Sequence, residues 1–504
     1  MRVIDFLAKR ALYSPEKIAL VENETGRRLS YFELNAEANR WANYLESLGV
    51  GPGDRVAVLA GNSARIIALF YGVMKLGAIF LPLNFRLEPP ELIPVLREAE
   101  PALLLYSREF AGTVDALRPE VRLPRWIDYD GETGVERCPA VRAAAIPVEY
   151  DAPVMIIYTS GTTGKPKGAV LSHRMTFWNS LNFIVRDLLA TDTVLVHTPM
   201  FYTGGLNVIT IPSMLIGGTV VLMRCWNADE ALRAIERERI TIFFGVPTQF
   251  LMWLDSPLFE KTDLSSLRYV ISGGAPMPWP LIERILARGL VYRQGFGLTE
   301  VGVNCFALEA RDVLRKPGSI GFPNFCIEAR VVDEDDRDVP TGEVGELVMR
   351  TPAMIDAYWR NPEATAAALR NGWFHTGDLA RVDEEGYFYI AGRKKDMFIS
   401  GGENVYPAEV EQVLANHPQV AEVTVVPVPH EKWGEVGCAV VVPRAGTSLT
   451  EQELIGFCHG KLARYKIPKS VRFLSELPRT HSGKVQKEEL KRRFAEGASP
   501  TAAA

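Results

Sequence analysis

The sequence predicts an α/β fold. A large N-terminal domain of mostly parallel sheets flanked by helices carries a β-rich subdomain, and a small mobile α+β domain follows it. Three observations predict this. From Tyr31 to Gln294, segments of helical periodicity alternate with short apolar runs, the pattern of parallel strands covered on both faces. After about Pro317 the rhythm changes to short strands divided by Asp/Gly turns. Beyond "AGRKKD" two strand-like runs and one helical run make up a unit of ordinary domain size.

The elements follow in order. "MRVIDFLAKRALYSPEK" alternates charge with apolar residues at a helical rhythm and lacks the apolar block of a signal peptide. "YFELNAEANRWANYLESLGV" reads as a helix stopped at Gly49. "GPGDRVAVLAG" reads as a turn and a buried strand, and "SARIIALFYGVMKLGAIFLPLN" as a helix and a strand. The same alternation recurs through "TVLVHTP", "GGTVVLM", "ITIFFGVP" and "LRYVISGGAP". From His197 to Met223 there is no acidic residue, lysine or arginine, which raises the question of a membrane span of about 20 apolar residues. Pro212 and the Gly217-Gly218 pair divide that run into a short helix and a strand, so buried core is expected and no transmembrane span.

The expected organisation is an N-terminal domain over 1–391, its β-rich subdomain over about 317–391, a hinge at 392–396, a C-terminal lid domain over 397–496 and a disordered tail at 497–504. A chain of 504 residues is too long for one core. Its net charge of −5, with both signs interspersed, argues against a nucleic-acid partner. Six scattered cysteines form no CxxC pair and seven histidines show no HxxxH spacing. A zinc site or disulfide framework is therefore not expected, and a reducing, cytoplasmic setting fits.

The most informative stretch is "YTSGTTGKPKG", Tyr158 to Gly168, directly after the apolar "VMII". Small residues allow close backbone approach and successive N–H groups make an anion nest. Hydroxyls on Thr159, Ser160, Thr162 and Thr163 add donors, and Lys165 or Lys167 adds charge. The stretch is not a P-loop: Gly161 and Gly164 stand too close together, and Pro166 follows the lysine where a helix should begin. Composition alone leaves two readings, a polyphosphate grip or a surface loop of turn formers.

"YTSGTTGKPKGAVLSH" resembles the phosphate-loop signature of the adenylate-forming superfamily, which includes acyl-CoA synthetases, peptide-synthetase adenylation domains and luciferases. The likeness continues in order along nearly the whole chain. "ISGGAPMP" resembles the adenine-side loop, "YRQGFGLTE" the aromatic–Gly–Thr–Glu motif, "GWFHTGDLARVDEEGYFYIAGRKKD" the ribose-binding aspartate segment and hinge, and "PRTHSGKVQK" the C-terminal lysine motif. The cofactors implied are ATP, Mg²⁺ and coenzyme A as co-substrate.

The resemblance assigns ATP and AMP to Thr159, Ser160, Gly161, Thr162, Thr163, Gly164, Lys165 and Lys167. It adds Gly273, Gly274, Ala275 and Pro276, with Gln294, Gly295 and Phe296, as an adenine slot, and Gly297 and Thr299 as further ATP/AMP-binding residues. Asp378 and Arg393 fall to the ribose, and Lys484 to adenylation. Lys484, Glu300 and Thr159 are the implied catalytic residues. Glu300 is the implied Mg²⁺ ligand, a role that suits a hard carboxylate beside phosphates. Read alone, Glu300 could equally cap a surface helix and Lys484 sit in a solvated charge run. The lid is implied to rotate about Lys395, with Gly401, Gly402 and Glu403 lining a CoA channel; read alone, "SGGEN" is a hairpin turn.

Phe201, Tyr202, Gly204, Gly205, Val246 and Gly297 are the implied acyl pocket. The main expectation is a medium- or long-chain fatty acid, activated as acyl-AMP with release of pyrophosphate and passed to the CoA thiol. Glycines beside aromatics suit an apolar tunnel and an aryl slot equally. Many fatty acyl relatives have His where Tyr202 stands. The absence of Arg and Lys between His197 and Met223 disfavours dicarboxylates. An aryl-acid CoA ligase, a light emitter and a non-catalytic nucleotide-binding regulator are the alternatives. Free CoA is the expected acceptor. The partners expected are small molecules, with peripheral membrane contact and a homodimer left open.

Overall fold

The computed structural model describes residues 2–131, 133–142, 146–160, 166–480 and 485–495. The chain forms two compact units. One comprises Met1–Met277, Arg284–Ala329 and Met349–His375; the other comprises Pro278–Glu283, Arg330–Val348 and Thr376–Ala504.

The first unit contains two sheets. A six-stranded sheet runs in the order Trp126–Asp128, Leu103–Tyr106, Arg55–Leu59, Ile79–Pro82, Pro153–Ser160, Pro166–Ser172. Its first five strands are parallel and the last is antiparallel. A nine-stranded sheet has a parallel centre in the order Tyr292–Phe296, Tyr269–Ser272, Ile242–Gly245, Thr193–Val196, Thr219–Leu222, Ile18–Glu22. The run "VMII" is buried on both faces, as are Ile242 and Phe243, as parallel strands flanked by helices require. The helices start where the sequence supplies caps: Ser30 opens Tyr31–Ser47 with a capping box to Glu33, and Ser63 caps Ala64–Lys75. The run 197–223 contains the helix Thr210–Ile216 and the strand Thr219–Leu222. Among the described residues no helix is long and apolar enough to cross a membrane.

The stretch after Pro317 forms a five-stranded sheet ordered Glu328–Val332, Gly345–Arg350, Trp373–Val382, Leu369–Arg370, with Phe388–Arg393 against Trp373–Val382. In the second unit, the long hairpin Val420–His430 and Gly434–Pro443 carries Ser470–Phe473 in parallel on one edge. The helices Pro407–Ala415 and Glu451–Cys458 bury Val410, Leu414 and Leu454 against Val425 and Val441 of that hairpin. The mixed α/β architecture matches the sequence expectation. The tail 497–504 lies outside the described residues.

Candidate active site

Four parallel strands of the nine-stranded sheet end at Val196, Gly245, Ser272 and Phe296, and each hands over directly to a predicted site segment. His197–Tyr202, Val246-Pro247, Gly273–Pro276 and Gly297–Glu300 therefore leave from one carboxyl edge, where open parallel sheets hold ligands. Close backbone approach dictates the sequence there. A Cβ on Gly297 would stand 2.0 Å from the Val303 carbonyl oxygen, and one on Gly205 would stand 2.4 Å from that of Pro199. Gly205 lies in a single π-helical turn, Gly204–Val208. Phe201 packs edge-on against Phe85 at 4.9 Å and tilts against Tyr202 at 4.3 Å. Gly274, Ala275 and Pro276 are exposed, whereas Gln294, Gly295 and Phe296 are half-buried.

Thr159 is the next-to-last residue of the strand Pro153–Ser160, whose antiparallel partner begins at Pro166, with Thr159 opposite Lys167. Its hydroxyl lies 3.4 Å from Glu300 Oε1. The same carboxylate oxygen accepts a hydrogen bond of 3.0 Å from the Tyr358 hydroxyl. Burial, then the Glu300 charge, pushes the Tyr358 phenol well above its ordinary pKa, so it stays a donor. Lys167 Nζ lies 5.4 Å over the Tyr358 ring. Thr159, Glu300 and Lys167, distant in sequence, thus meet around one tyrosine. The donor set fits Mg²⁺: one carboxylate and neighbouring hydroxyls leave coordination positions for phosphate and water. Among the described residues no cluster of three or more His, Cys, Asp or Glu offers a closed metal cage.

Sequence reasoning missed Tyr358, because nothing in "DAYW" reports a partner 58 positions away. It also missed two supporting groups. Asn179 donates to the Asn207 carbonyl at 2.6 Å and accepts from the Asn304 N–H at 3.1 Å, tying the π-helical turn to the segment after Glu300. His197 is buried, and burial lowers its pKa to about 4. Its Nε2 pairs with the Phe244 carbonyl at 2.8 Å, and its Nδ1 faces the Gln249 amide at 3.0 Å. Gln249 Oε1 in turn accepts from the Val246 N–H at 2.9 Å. The neutral ring therefore donates through Nε2 and accepts at Nδ1, and the chain of bonds ends on the loop that carries Val246. Polar residues in an apolar run were the only available signal.

In the second unit Asp378 and Arg393 are cross-strand partners, with Arg393 Nε 2.6 Å from Asp378 Oδ1. Asp378 is 3% exposed and Arg393 half-buried. The hinge segment is a turn closed by N–H donors of Asp396 and Met397 onto the Arg393 carbonyl, and Lys395 is exposed. Gly401 and Gly402 form a two-residue hairpin between Phe398–Ser400 and Glu403–Val405, with φ of 62° and 90°. Gly401 donates its N–H to the Trp433 carbonyl at 2.9 Å, and Glu403 is exposed. Gly161, Thr162, Thr163, Gly164, Lys165 and Lys484 lie outside the described residues, as does the Ser160 side chain.

Residues 7–359 match the family model of AMP-binding enzymes, and residues 409–484 match the C-terminal domain of AMP-binding enzymes. The chain is 43% identical to a feruloyl-CoA synthase from Amycolatopsis sp over 487 residues, covering 96% of this chain and 98% of that protein. It is 39% identical to the long-chain-fatty-acid–CoA ligase FadD13 of Mycobacterium tuberculosis, covering 97% of each. Among solved structures, the anthranilate CoA ligase AuaEII in complex with anthranoyl-AMP superposes with a TM-score of 0.92 at 29% identity, covering 99% of this chain and 98% of that one.

Proposed function

The chain belongs to the AMP-binding enzyme family and is an AMP-forming acid–thiol ligase using ATP, Mg²⁺ and CoA, and within that class we propose that its acid is an apolar monocarboxylate carrying an aromatic ring. The observation that carries the reading is the aromatic wall of Phe201, Tyr202 and Phe85 beside the glycine-lined turn Gly204–Val208. Offset and edge-on contacts favour a planar ring over a flexible chain of equal area. The similarity to a feruloyl-CoA synthase supports it. A medium- or long-chain fatty acid is the second reading, supported by the similarity to FadD13.

In the proposed mechanism the acid's carboxylate oxygen attacks the α-phosphorus of ATP, the bond to the bridging oxygen breaks, and pyrophosphate leaves. Thr159 and the rest of its loop, with Lys167, grip the phosphates through backbone and hydroxyl donors. Glu300 would hold Mg²⁺, which when bound would neutralise phosphate charge. Tyr358 donates to Glu300 Oε1 and so orients that carboxylate. Gly273–Pro276 and Gln294–Thr299 border the adenine, while Asp378 accepts from the ribose hydroxyls beside Arg393. Lys484 is proposed to neutralise the developing charge on the phosphoryl group. The lid then turns about Lys395 and the CoA thiol enters past Gly401, Gly402 and Glu403 to expel AMP.

A screen of aryl, fatty and short acids by ATP–pyrophosphate exchange and CoA thioester formation tests the reading. Preference for aryl acids is expected; a higher kcat/KM for decanoate or palmitate favours the second reading. Lys484→Ala should abolish adenylate formation yet leave transfer from a supplied acyl-adenylate to CoA largely intact. Equal loss in both half-reactions would remove the switching role.

A further inference from the structure

A cavity of about 130 Å³ lies within the first unit, and none of its lining residues belongs to the strand ends described above. The N-terminal helix Phe6–Tyr13, the helix Ala64–Lys75, the helix His173–Ile184 and the helix Thr210–Ile216 enclose it. Its wall is apolar and aromatic: Phe6, Tyr71, Tyr150, Phe177, Ile211 and Met214 line it. Phe6 and Phe177 stack at 5.8 Å, with Tyr150 edge-on to Phe177 at 6.3 Å. A space of this size accommodates a single six-membered ring, since a cavity of about 150 Å³ lined by aliphatic and aromatic residues takes benzene.

One feature of the wall is polar and unsatisfied. His173 lines the cavity and is 4% exposed, yet its Nε2 meets no hydrogen-bond partner among the described residues. The lining also carries the phenols of Tyr71 and Tyr150, and its two aliphatic hydroxyls are occupied within their own helix. Thr176 donates to the Ser172 carbonyl at 3.1 Å and Ser180 to the Thr176 carbonyl at 2.8 Å. An unpaired buried ring nitrogen costs about 1–3 kcal/mol, so the site favours an occupant that supplies the missing bond. Burial lowers the His173 pKa to about 4, so the ring is neutral at pH 7 and offers no charge to an anion. Arg2, the one cation of the lining, is solvent-exposed.

We propose that this cavity binds a small neutral phenol, its ring among Phe6, Tyr71, Tyr150 and Phe177 and its hydroxyl hydrogen-bonded to His173 Nε2. A hydroxyl both donates and accepts, so it satisfies Nε2 in either neutral tautomer, which neither a bare carbonyl nor an N–H group can do. None of the lining residues is among those assigned to the acid or the nucleotide, so the proposal does not depend on which acid the enzyme activates.

Titration of the full-length protein with phenol and with toluene, which replaces the hydroxyl by a methyl group, tests the proposal by calorimetry. Phenol should bind saturably and about tenfold more tightly than toluene, the ratio one buried hydrogen bond supplies. His173→Phe should bring phenol down to the toluene level. Ser180→Leu, which replaces the wall hydroxyl by three carbons, should abolish binding of both. In ¹⁵N-histidine spectra of the unmodified protein, one buried imidazole resonance should move with phenol and not with toluene. Equal affinity for the two probes, no saturable binding of either, or undiminished phenol binding by Ser180→Leu would overturn the proposal; the last would place phenol in the acid pocket instead. Should either variant fail to fold, an unmoved imidazole resonance in the unmodified protein is enough to reject it.

Discussion

Gly297, at the carboxyl edge of the nine-stranded sheet, and Gly402, in the hairpin of the second unit, both stand in segments predicted to form sites, and they are glycine for opposite reasons. At Gly297 the place of a Cβ is occupied, with the Val303 carbonyl oxygen 2.0 Å away. At Gly402 no atom lies within 4 Å of that place, but φ is 90°, a conformation that L side chains adopt only under strain. The same contrast extends to the neighbours: Glu300 is held by two hydroxyl contacts, while Glu403 and Lys395 are exposed. One region builds its site from packing, which fails when atoms are displaced. The other builds it from backbone conformation, which tolerates displacement and fails by strain.

The contrast would break if Gly297→Ala were mild. It should cost about 3–5 kcal/mol in chemical denaturation, because the clash is with backbone and cannot be relieved by a rotamer change. Glu300→Gln should leave stability nearly unchanged while slowing adenylate formation about 10²- to 10³-fold and weakening the Mg²⁺ dependence; an unchanged magnesium titration would contradict the metal role.

The next difference is in acid stability. His173 and His197, both in the first unit, have folded pKa values lowered by burial to about 4 from an ordinary 6.5. An imidazole with a depressed folded pKa binds fewer protons folded than unfolded between those values. The stability it lends is complete above pH 6.5 and drains away as pH falls towards 4, by an amount on the order of 3 kcal/mol for each ring. His417 in the second unit is shifted in the same direction but is only half-buried. Calorimetry from pH 7 to pH 4.5 should therefore find the first unit losing stability faster. Gly402→Ala should cost less than Gly297→Ala, about 1–2 kcal/mol of strain. It should slow thioester formation and leave pyrophosphate exchange unchanged.

Local signals made the fold legible. The helical spacing of apolar residues in "YFELNAEANRWANYLESLGV" and its stop at Gly49 marked a helix, and "VMII" and "IFF" were strands because apolar runs that short, bounded by Gly or Pro, fit little else. Thr159, Glu300, Asp378 and Arg393 each stand in a motif with its own local pattern, and the structure brings Thr159 beside Glu300 and Arg393 onto Asp378. What stayed hidden was pairing across distance. Tyr358 on Glu300, Asn179 between Asn207 and Asn304, and Gln249 between His197 and Val246 are single polar side chains whose partners are fixed only once the sheet has formed. The unpaired Nε2 of His173 was hidden for the same reason, since a missing partner leaves no trace in a one-dimensional string.

The bonded path from the Phe244 carbonyl through His197 and Gln249 to Val246 makes that side of the proposed acid pocket a brace instead of a cushion. A brace cannot flex to greet molecules of different girth, so new preferences would have to arise from side chains standing in front of it. Descendants with altered tastes should retain the imidazole and the carboxamide while Phe201, Tyr202 and Val246 drift.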